Sequence, residues 1–197
     1  MTKKMITTTL VLLFTAVLAG CGGSKLTTTG YLSDYSKLSA QSDTSLIYVN
    51  ESALKNYSKF IVDPVQIHFH SHAKGKEFES EELDALKQYM YHAVLKALSG
   101  KVTFSPGPGV ARLRIALTDI KKSSVVLNII PTTKLTGVGL GGASMEAELL
   151  DSVSGNQIAA IVESQAGSRL SLDGLSKFGD AKGVMDEWAK RLAKRVN

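Results

Sequence analysis

The sequence has almost no cysteine and no long apolar run in its main part. Cys21 is the only cysteine among 197 residues. A single cysteine excludes an internal disulfide framework and a metal site built from several thiolates. Because 44% of the residues are hydrophobic and 21% are charged, the composition is that of one globular domain with a core, not that of a disordered chain.

The chain also has little excess charge. Its formal net charge is +5, and without Lys3 and Lys4 this falls to +3. Domains that bind nucleic acid usually concentrate a stronger basic charge on one face. We therefore predict no nucleic-acid partner.

The apolar run near the N-terminus is too short for a typical transmembrane helix. Met5–Ala19 contains 15 residues, four of them threonines, whereas a bilayer-spanning helix needs about 20 apolar residues. Lys3 and Lys4 precede this run and small residues follow it, which is the pattern of a cleaved signal peptide. We predict that residues 1–20 are removed; a retained transmembrane helix is the less favoured alternative.

The end of this leader resembles the lipobox of bacterial lipoproteins, in the sequence Leu18-Ala19-Gly20-Cys21. The resemblance implies a diacylglycerol group on the Cys21 thiol, cleavage before Cys21, and acylation of the new amine with a chain such as palmitate. Two or three acyl chains hold a protein at a membrane durably, whereas one holds it weakly. The alternative is a signal peptide that ends beside a cysteine by chance.

Gly22 stands where such lipoproteins commonly carry Asp if they stay at the inner membrane. We therefore expect a lipid-anchored protein of the outer membrane that faces the periplasm, with the inner membrane as the alternative. Residues 21–29 comprise the lipidated cysteine and a polar, flexible tether. Residues 30–197 are predicted to form a single periplasmic domain.

Apolar periodicity predicts the elements of this domain. Alternation predicts strands at 60–70 and 112–118, and segments 144–150 and 157–163 are predicted to form a hairpin. A short strand is expected at 45–49, and the apolar run 124–130 predicts a buried strand. Helical spacing predicts one helix from Ser80, its N-cap, to just before Gly100, and another from about Asp180. This order predicts an α+β fold, a mainly antiparallel sheet with two amphipathic helices packed on one face.

Three histidines form the clearest candidate metal site. His68 and His70 lie on one face of the 60–70 strand and His72 follows two residues later; residues two apart on a strand share one face at a spacing of about 6.6 Å. Neighbouring imidazoles of this kind can bind Zn²⁺ or Cu²⁺ with a further ligand, for which His92 and Glu77 are candidates. The alternative is a solvated strand face.

The glycine-rich segment 137–142 matches the dinucleotide motif G-x-G-x-x-G but lacks its context. Such a site needs a helix after the glycines, whereas Met145, Ala147 and Leu149 alternate as a strand. We reject a dinucleotide site. The surrounding apolar loop, 131–143, either touches a bilayer or partner or connects buried elements, and the second alternative is favoured.

No catalytic set emerges from the remaining motifs. Ser52 and Lys55 match S-x-x-K by chance, since the partner motifs of penicillin-recognising enzymes are missing. The basic end of the last helix, residues 190–195, is expected to pair in part with Asp186 and Glu187 one turn earlier. We predict a protein that is not an enzyme and needs no cofactor.

Several segments together resemble a family of bacterial lipoproteins known only as a domain of unknown function, DUF3313. The resemblance spans nearly the whole chain after the leader but does not include the histidines. It rests on residues 30–35, 61–65, 107–110, 148–152 with Gly155, and 179–181 leading to Trp188. It implies membership and no specific activity.

The sequence therefore predicts a membrane-anchored envelope lipoprotein, a non-catalytic accessory or binding module. Its expected partners are the membrane, through the lipid on Cys21, and an envelope protein or cell-wall polymer. The alternative is a periplasmic metal-binding protein that uses His68 and His70.

Overall fold

The structure is a computed structural model that describes residues 26–129, 132, 136, 138–168, 170 and 172–196. The predicted signal peptide, Cys21 and most of the tether lie outside these residues. The strands are β1 (Ser39–Ser42), β2 (Ser45–Val49), β3 (Lys59–Val62), β4 (Gln66–Ile67), β5 (Val110–Lys121), β6 (Gly142–Asp151) and β7 (Gln157–Ala166). The α-helices are α1 (Glu51–Leu54), α2 (Ser80–Ala97), α3 (Val125–Ile129) and α4 (Gly179–Val196), with short 3₁₀ turns at Lys74–Glu77 and Asp173–Leu175.

All the described strands belong to one sheet, in the order β1-β2-β7-β6-β5-β3, with β4 also pairing with β5. The pairs β1–β2, β2–β7, β7–β6 and β6–β5 are antiparallel, while β3 and β4 run parallel to β5. The predicted α+β fold with a mainly antiparallel sheet is confirmed.

The two long helices pack together on one face of the sheet, as predicted. The core between them and the sheet includes Leu113 and Ile115 from β5, Met90 from α2 and Trp188 from α4. Alternate residues of each central strand enter this core because successive side chains of a strand point to opposite faces. We call this the helix face, and the opposite side the outer face.

The predicted strand at 60–70 is divided in two. β3 and β4 both pair with β5, but Asp63 and Pro64 separate them. Proline has no N–H to give to a ladder, so it interrupts pairing at this sheet edge. The predicted alternation persists, since Val65, Ile67 and Phe69 pack on the helix-face core.

The predicted buried strand at 124–130 is wrong, because residues 125–129 form α3. Asn128 donates its backbone N–H to the Ser124 carbonyl at 2.9 Å, and its side-chain amide donates to the carbonyls of Gly139 and Gly174. Val126 is 71% exposed, so the apolar run does not mark burial here. Short apolar runs do not distinguish strand from helix.

The glycines at 141 and 142 allow close backbone contact. A Cβ atom on Gly141 would lie 2.6 Å from the Lys121 carbonyl oxygen, and one on Gly142 would lie 2.4 Å from that of Gln165. Gly141 also donates its N–H to the fully buried Asp180 carboxylate at 2.8 Å, which joins this loop to α4. Strand β6 follows directly, as the alternation of Met145, Ala147 and Leu149 predicted.

Candidate functional site

Residues 26–38 lie across the outer face of the sheet, and we call them the strap. Tyr31 and Leu32 are buried in an apolar cluster with Ala116, Ala160 and Val162. The strap runs in the same direction as β6, since Thr29 contacts Glu146 and Ser33 contacts Glu148. Residues 26–29, assigned to the tether from the sequence, are thus in contact with the sheet.

Two buried carboxylates of β6 hold the strap. Glu146 is 0% exposed and accepts hydrogen bonds from the Thr29 N–H at 2.6 Å and from the Tyr35 hydroxyl. Burial, together with this bond to the Glu146 carboxylate, raises the pKa of Tyr35 to about 12. The Tyr35 hydroxyl therefore stays protonated and remains a donor at neutral pH.

Glu148 is the second buried carboxylate, and it has a counterion. Its oxygens accept from the Ser33 N–H at 3.0 Å, the Ser33 hydroxyl at 2.7 Å and the Arg114 guanidinium at 2.6 Å. Arg114 also lies over the Tyr31 ring, 4.8 Å from its centroid. A buried charge needs this degree of pairing and hydrogen bonding, so Glu148 fits a structural role in fixing the strap.

These two glutamates were not predicted from the sequence. Both alternate with Met145, Ala147 and Leu149, and this pattern correctly places them on the outer face. An antiparallel sheet commonly leaves one face in water, so exposure was the default expectation. The aromatic and aliphatic content of residues 30–35 was the available signal that this segment covers that face.

The histidines separate into two environments. His70 and His72 line a polar cavity of about 270 Å³ whose wall also includes Leu26, Thr27 and Asp119. His70 Nε2 lies 3.9 Å from Asp119 Oδ2, while Asp119 Oδ1 accepts backbone N–H groups from Lys74, Gly75 and Ile120. His68 instead packs edge-on against Tyr31, with ring centroids 5.9 Å apart.

The other proposed metal ligands do not complete a set. His92 lies on α2 and packs against Tyr91, and Glu77 lies in the 3₁₀ turn before α2. Among the residues that the structure describes, no three His, Cys, Asp or Glu side chains form a group that could hold a metal ion. The histidines that share an environment are His70 and His72.

One end of the sheet carries a set of exposed aliphatic side chains, which we call the aliphatic end. It comprises α3 and the loops at the end of β5, the start of β6 and the end of β7. Leu26 and Thr27 reach this end as well, because they line a cavity with Lys121, Ser144 and Ser164. The exposed fractions are 71% for Val126, 65% for Ile129, 53% for Val138, 96% for Leu170 and 73% for Leu172.

The basic end of α4 pairs with other elements. Arg191 donates to both carboxylate oxygens of Glu163 on β7, at 2.8 and 2.7 Å, and Arg195 pairs with Glu51 on α1. Asp186 instead accepts from the Tyr89 hydroxyl of α2 at 2.8 Å, and Glu187 accepts from Gln165. The intrahelical pairs predicted for Asp186 and Glu187 are therefore replaced by contacts that tie α4 to its neighbours.

Comparison with protein families gives a match to the model described as a protein of unknown function, DUF3313, over residues 27–192. The chain belongs to the DUF3313 family. The resemblance drawn from the sequence motifs is thus confirmed. The matched region begins within the strap and includes every strand of the sheet.

The solved structures that this chain is similar to are distant. A PelC dodecamer from Paraburkholderia phytofirmans has 12% identity and a TM-score of 0.43, over 76% of this chain and 97% of that one. A Xanthomonas campestris protein of family DUF330 has 12% identity and a TM-score of 0.39, over 70% of this chain and 82% of that one. These likenesses carry no functional argument. None of the curated proteins matches the sequence.

Among the described residues, no helix combines the length and the hydropathy needed to cross a membrane.

Proposed function

We propose that this DUF3313 protein is an envelope lipoprotein, anchored through lipid on Cys21 to the periplasmic side of the outer membrane, and acts as a non-catalytic binding or accessory module. The lipobox at residues 18–21 supports the anchor. The buried carboxylates support a non-catalytic role, because Glu146 and Glu148 are occupied by the strap.

The observation that carries this proposal is the position of Leu26. It lies at the aliphatic end, and five residue steps separate it from Cys21. Five extended residues reach at most about 18 Å. A lipidated Cys21 therefore holds the aliphatic end, with its exposed Leu170 and Leu172, close to the bilayer surface.

The charge near this end suits the same orientation. Lys121, the last residue of β5, and Lys122, which follows it, are exposed, and neither pairs with a carboxylate in the described part of the chain. Juxtamembrane lysines are attracted to anionic lipids. Exposed aliphatic and basic side chains beside an anchor together favour contact with a lipid surface.

Metabolic labelling with palmitate tests the anchor. We expect label on the wild-type chain in the outer-membrane fraction of a density gradient, and loss of both label and membrane association in Cys21→Ser. Gly22→Asp is the matched control, since it keeps the thiol and is expected to keep the label while moving the protein to the inner membrane. Unlabelled, soluble wild-type protein would refute the proposal.

Metal binding is the second candidate function, favoured by the position of His70 beside Asp119 in a polar cavity. Under this alternative, calorimetry with Zn²⁺ or Cu²⁺ gives saturable heat that His70→Ala and His72→Ala remove. His92→Ala on α2 is the control and keeps the heat. Heat that survives loss of His70 would eliminate this site.

A further inference from the structure

A large apolar cleft opens between α4 and the β2–β7 part of the helix face. Its volume is about 460 Å³, which lies within the range of about 300–1,000 Å³ that small-molecule sites occupy. The sheet side consists of Ile47 and Val49 of β2 with Ala159 and Ile161 of β7. The floor reaches the core at Trp188.

The cleft exists because the helices cover the sheet unevenly. α2 and α4 pack together, and α4 packs on β6 and β7, while β2 lies one strand farther toward the sheet edge. Ile47, Val49 and Ile161 are consequently only half-buried, although they point to the same face as the core residues. Half-buried aliphatic side chains in a concave surface are what an apolar ligand chain needs.

The rim of the cleft is basic. Arg191, Lys194 and Arg195 line it from the last two turns of α4. Glu163 neutralises Arg191 and Glu51 neutralises Arg195, whereas Lys194 forms no ion pair with any residue that the structure describes. The rim therefore has one uncompensated cation beside an apolar interior.

We propose that this cleft binds a single-chain amphiphile with an anionic head group, the acyl chain lying against β2 and β7 and the head group at Lys194. The chemistry is shared by free fatty acids and by lysophospholipids with acidic head groups. This inference gives a ligand class to the proposed binding role. It does not depend on the anchor, because the cleft lies on the face opposite the strap.

Trp188 makes the proposal directly measurable. It is the only tryptophan in the chain and it lines the cleft, so its fluorescence reports on occupancy. A chain that starts at residue 22 retains every described strand and helix and has no lipid of its own. Laurate and lauroyl-lysophosphatidylglycerol serve as probes below their micellar concentrations, and dodecyltrimethylammonium has the same tail with a cationic head.

We expect saturable changes in Trp188 emission with micromolar dissociation constants for the anionic probes, and affinity for the cationic probe at least about tenfold weaker. The anionic probe that binds more tightly shows whether the bound acyl chain belongs to a free fatty acid or to a lysophospholipid. Absence of saturation below about 1 mM, or equal affinity for the cationic probe, overturns the proposal. Neither result affects palmitate labelling of Cys21, so failure of the cleft and failure of the anchor are distinguishable.

Two variants locate the site. Ala159→Phe fills the apolar part and Lys194→Glu reverses the rim charge, and each is expected to weaken laurate binding by about tenfold or more. Lys190→Glu is the matched control, because Lys190 lies one turn earlier on α4 and outside the cleft. Equal weakening by Lys190→Glu, or a dimer in sedimentation analysis that buries the cleft and excludes laurate, would overturn the assignment.

Discussion

Glu146 and Glu148 occupy neighbouring outward positions of β6, and their environments differ in one important respect. Glu148 has the Arg114 guanidinium at 2.6 Å, whereas Glu146 accepts its hydrogen bonds from uncharged groups of the strap, the Thr29 N–H and the Tyr35 hydroxyl. A buried carboxylate that depends on neutral donors is sensitive to the loss of any one of them. The attachment of the strap is therefore most vulnerable at Tyr35.

Tyr35→Phe removes the hydroxyl that donates to Glu146 and keeps the ring. Since hydrogen bonds to charged groups contribute about 1.5–3 kcal/mol, we expect a loss of unfolding free energy in that range. Urea denaturation measures it, and hydrogen exchange should show faster opening of the strap. Tyr48→Phe, on the outer face of β2, is the control; equal losses in both variants would contradict the assigned role.

Asp151 is a second residue whose charge matters, at the turn between β6 and β7. Its carboxylate accepts from the N–H and hydroxyl of Ser154, the hydroxyl of Tyr57 and the N–H of Val153, which together lower its pKa to about 2 from 3.8. Because the folded-state pKa is the lower one, the ionised carboxylate favours folding above pH 3.8. This contribution is lost as the pH falls toward 2.

We expect Asp151→Asn to reduce the fall in unfolding free energy between about pH 4 and pH 2 relative to wild type. Urea denaturation across this window measures the difference. Asp84→Asn, on exposed α2 surface, leaves the turn intact and serves as the control. An unchanged pH slope in Asp151→Asn would disprove the contribution of this turn.

At the scale of the elements, the position at which helix α4 begins depends on its first residue, Gly179. A Cβ atom on Gly179 would lie 1.5 Å from the backbone carbonyl oxygen of Asp173, an atom that cannot move without displacing the preceding 3₁₀ turn. Asp180, the next residue, accepts from Gly141 and thereby joins α4 to the loop before β6. The start of α4 is consequently set by backbone contacts.

Gly179→Ala is expected to lower the unfolding free energy by about 1–3 kcal/mol or more, since overpacking forces the backbone to shift. Gly107→Ala is the control, because a Cβ atom there meets nothing within 4 Å. Thermal and urea denaturation compare the two. An unfolding free energy equal to that of wild type in Gly179→Ala would show that the 3₁₀ turn at Asp173–Leu175 can shift at little cost, and would contradict this prediction.

The sequence predicts those elements whose own periodicity is long enough to be decisive. The β6–β7 hairpin and helices α2 and α4 appear where alternation or helical spacing placed them, and β2 lies at the short strand expected at 45–49. The helix at α3 and the break between β3 and β4 were missed because short apolar runs do not fix the type or continuity of an element. The strap and the cleft depend on contacts between residues far apart in the chain, and the apolar periodicity of one segment does not predict such contacts.

At the scale of the whole molecule, the two ends of the sheet differ. The aliphatic end exposes Leu170 and Leu172 near the first described residue of the strap, whereas the β6–β7 turn exposes Val153 at the opposite end. An anchored domain that rests on a bilayer should use only the first of these. The proposed orientation of the molecule at a membrane can therefore be tested on a chain without Cys21.

In vesicle flotation with the chain from residue 22 and anionic phospholipids, we expect Leu170→Glu with Leu172→Glu to reduce bound protein by about fivefold or more, because apolar burial and charge attraction both weaken. Val153→Glu places a carboxylate at an exposed aliphatic position of the far end, and this variant should bind like wild type. Equal loss in both proteins, or none in either, would contradict the proposed orientation.

The direction of the strap also determines how the protein responds to force. A pull on the proposed lipid anchor at Cys21 would reach the described structure at residue 26 and act along β6, which has β5 and β7 as neighbours on its two sides. The force would then act in shear on the hydrogen bonds to Glu146 and Glu148 and on the packing of Tyr31 at the same time. It would not break the hydrogen bonds of an edge strand one after another. The fold would thus give the proposed anchor a mechanically resistant attachment at the centre of the sheet.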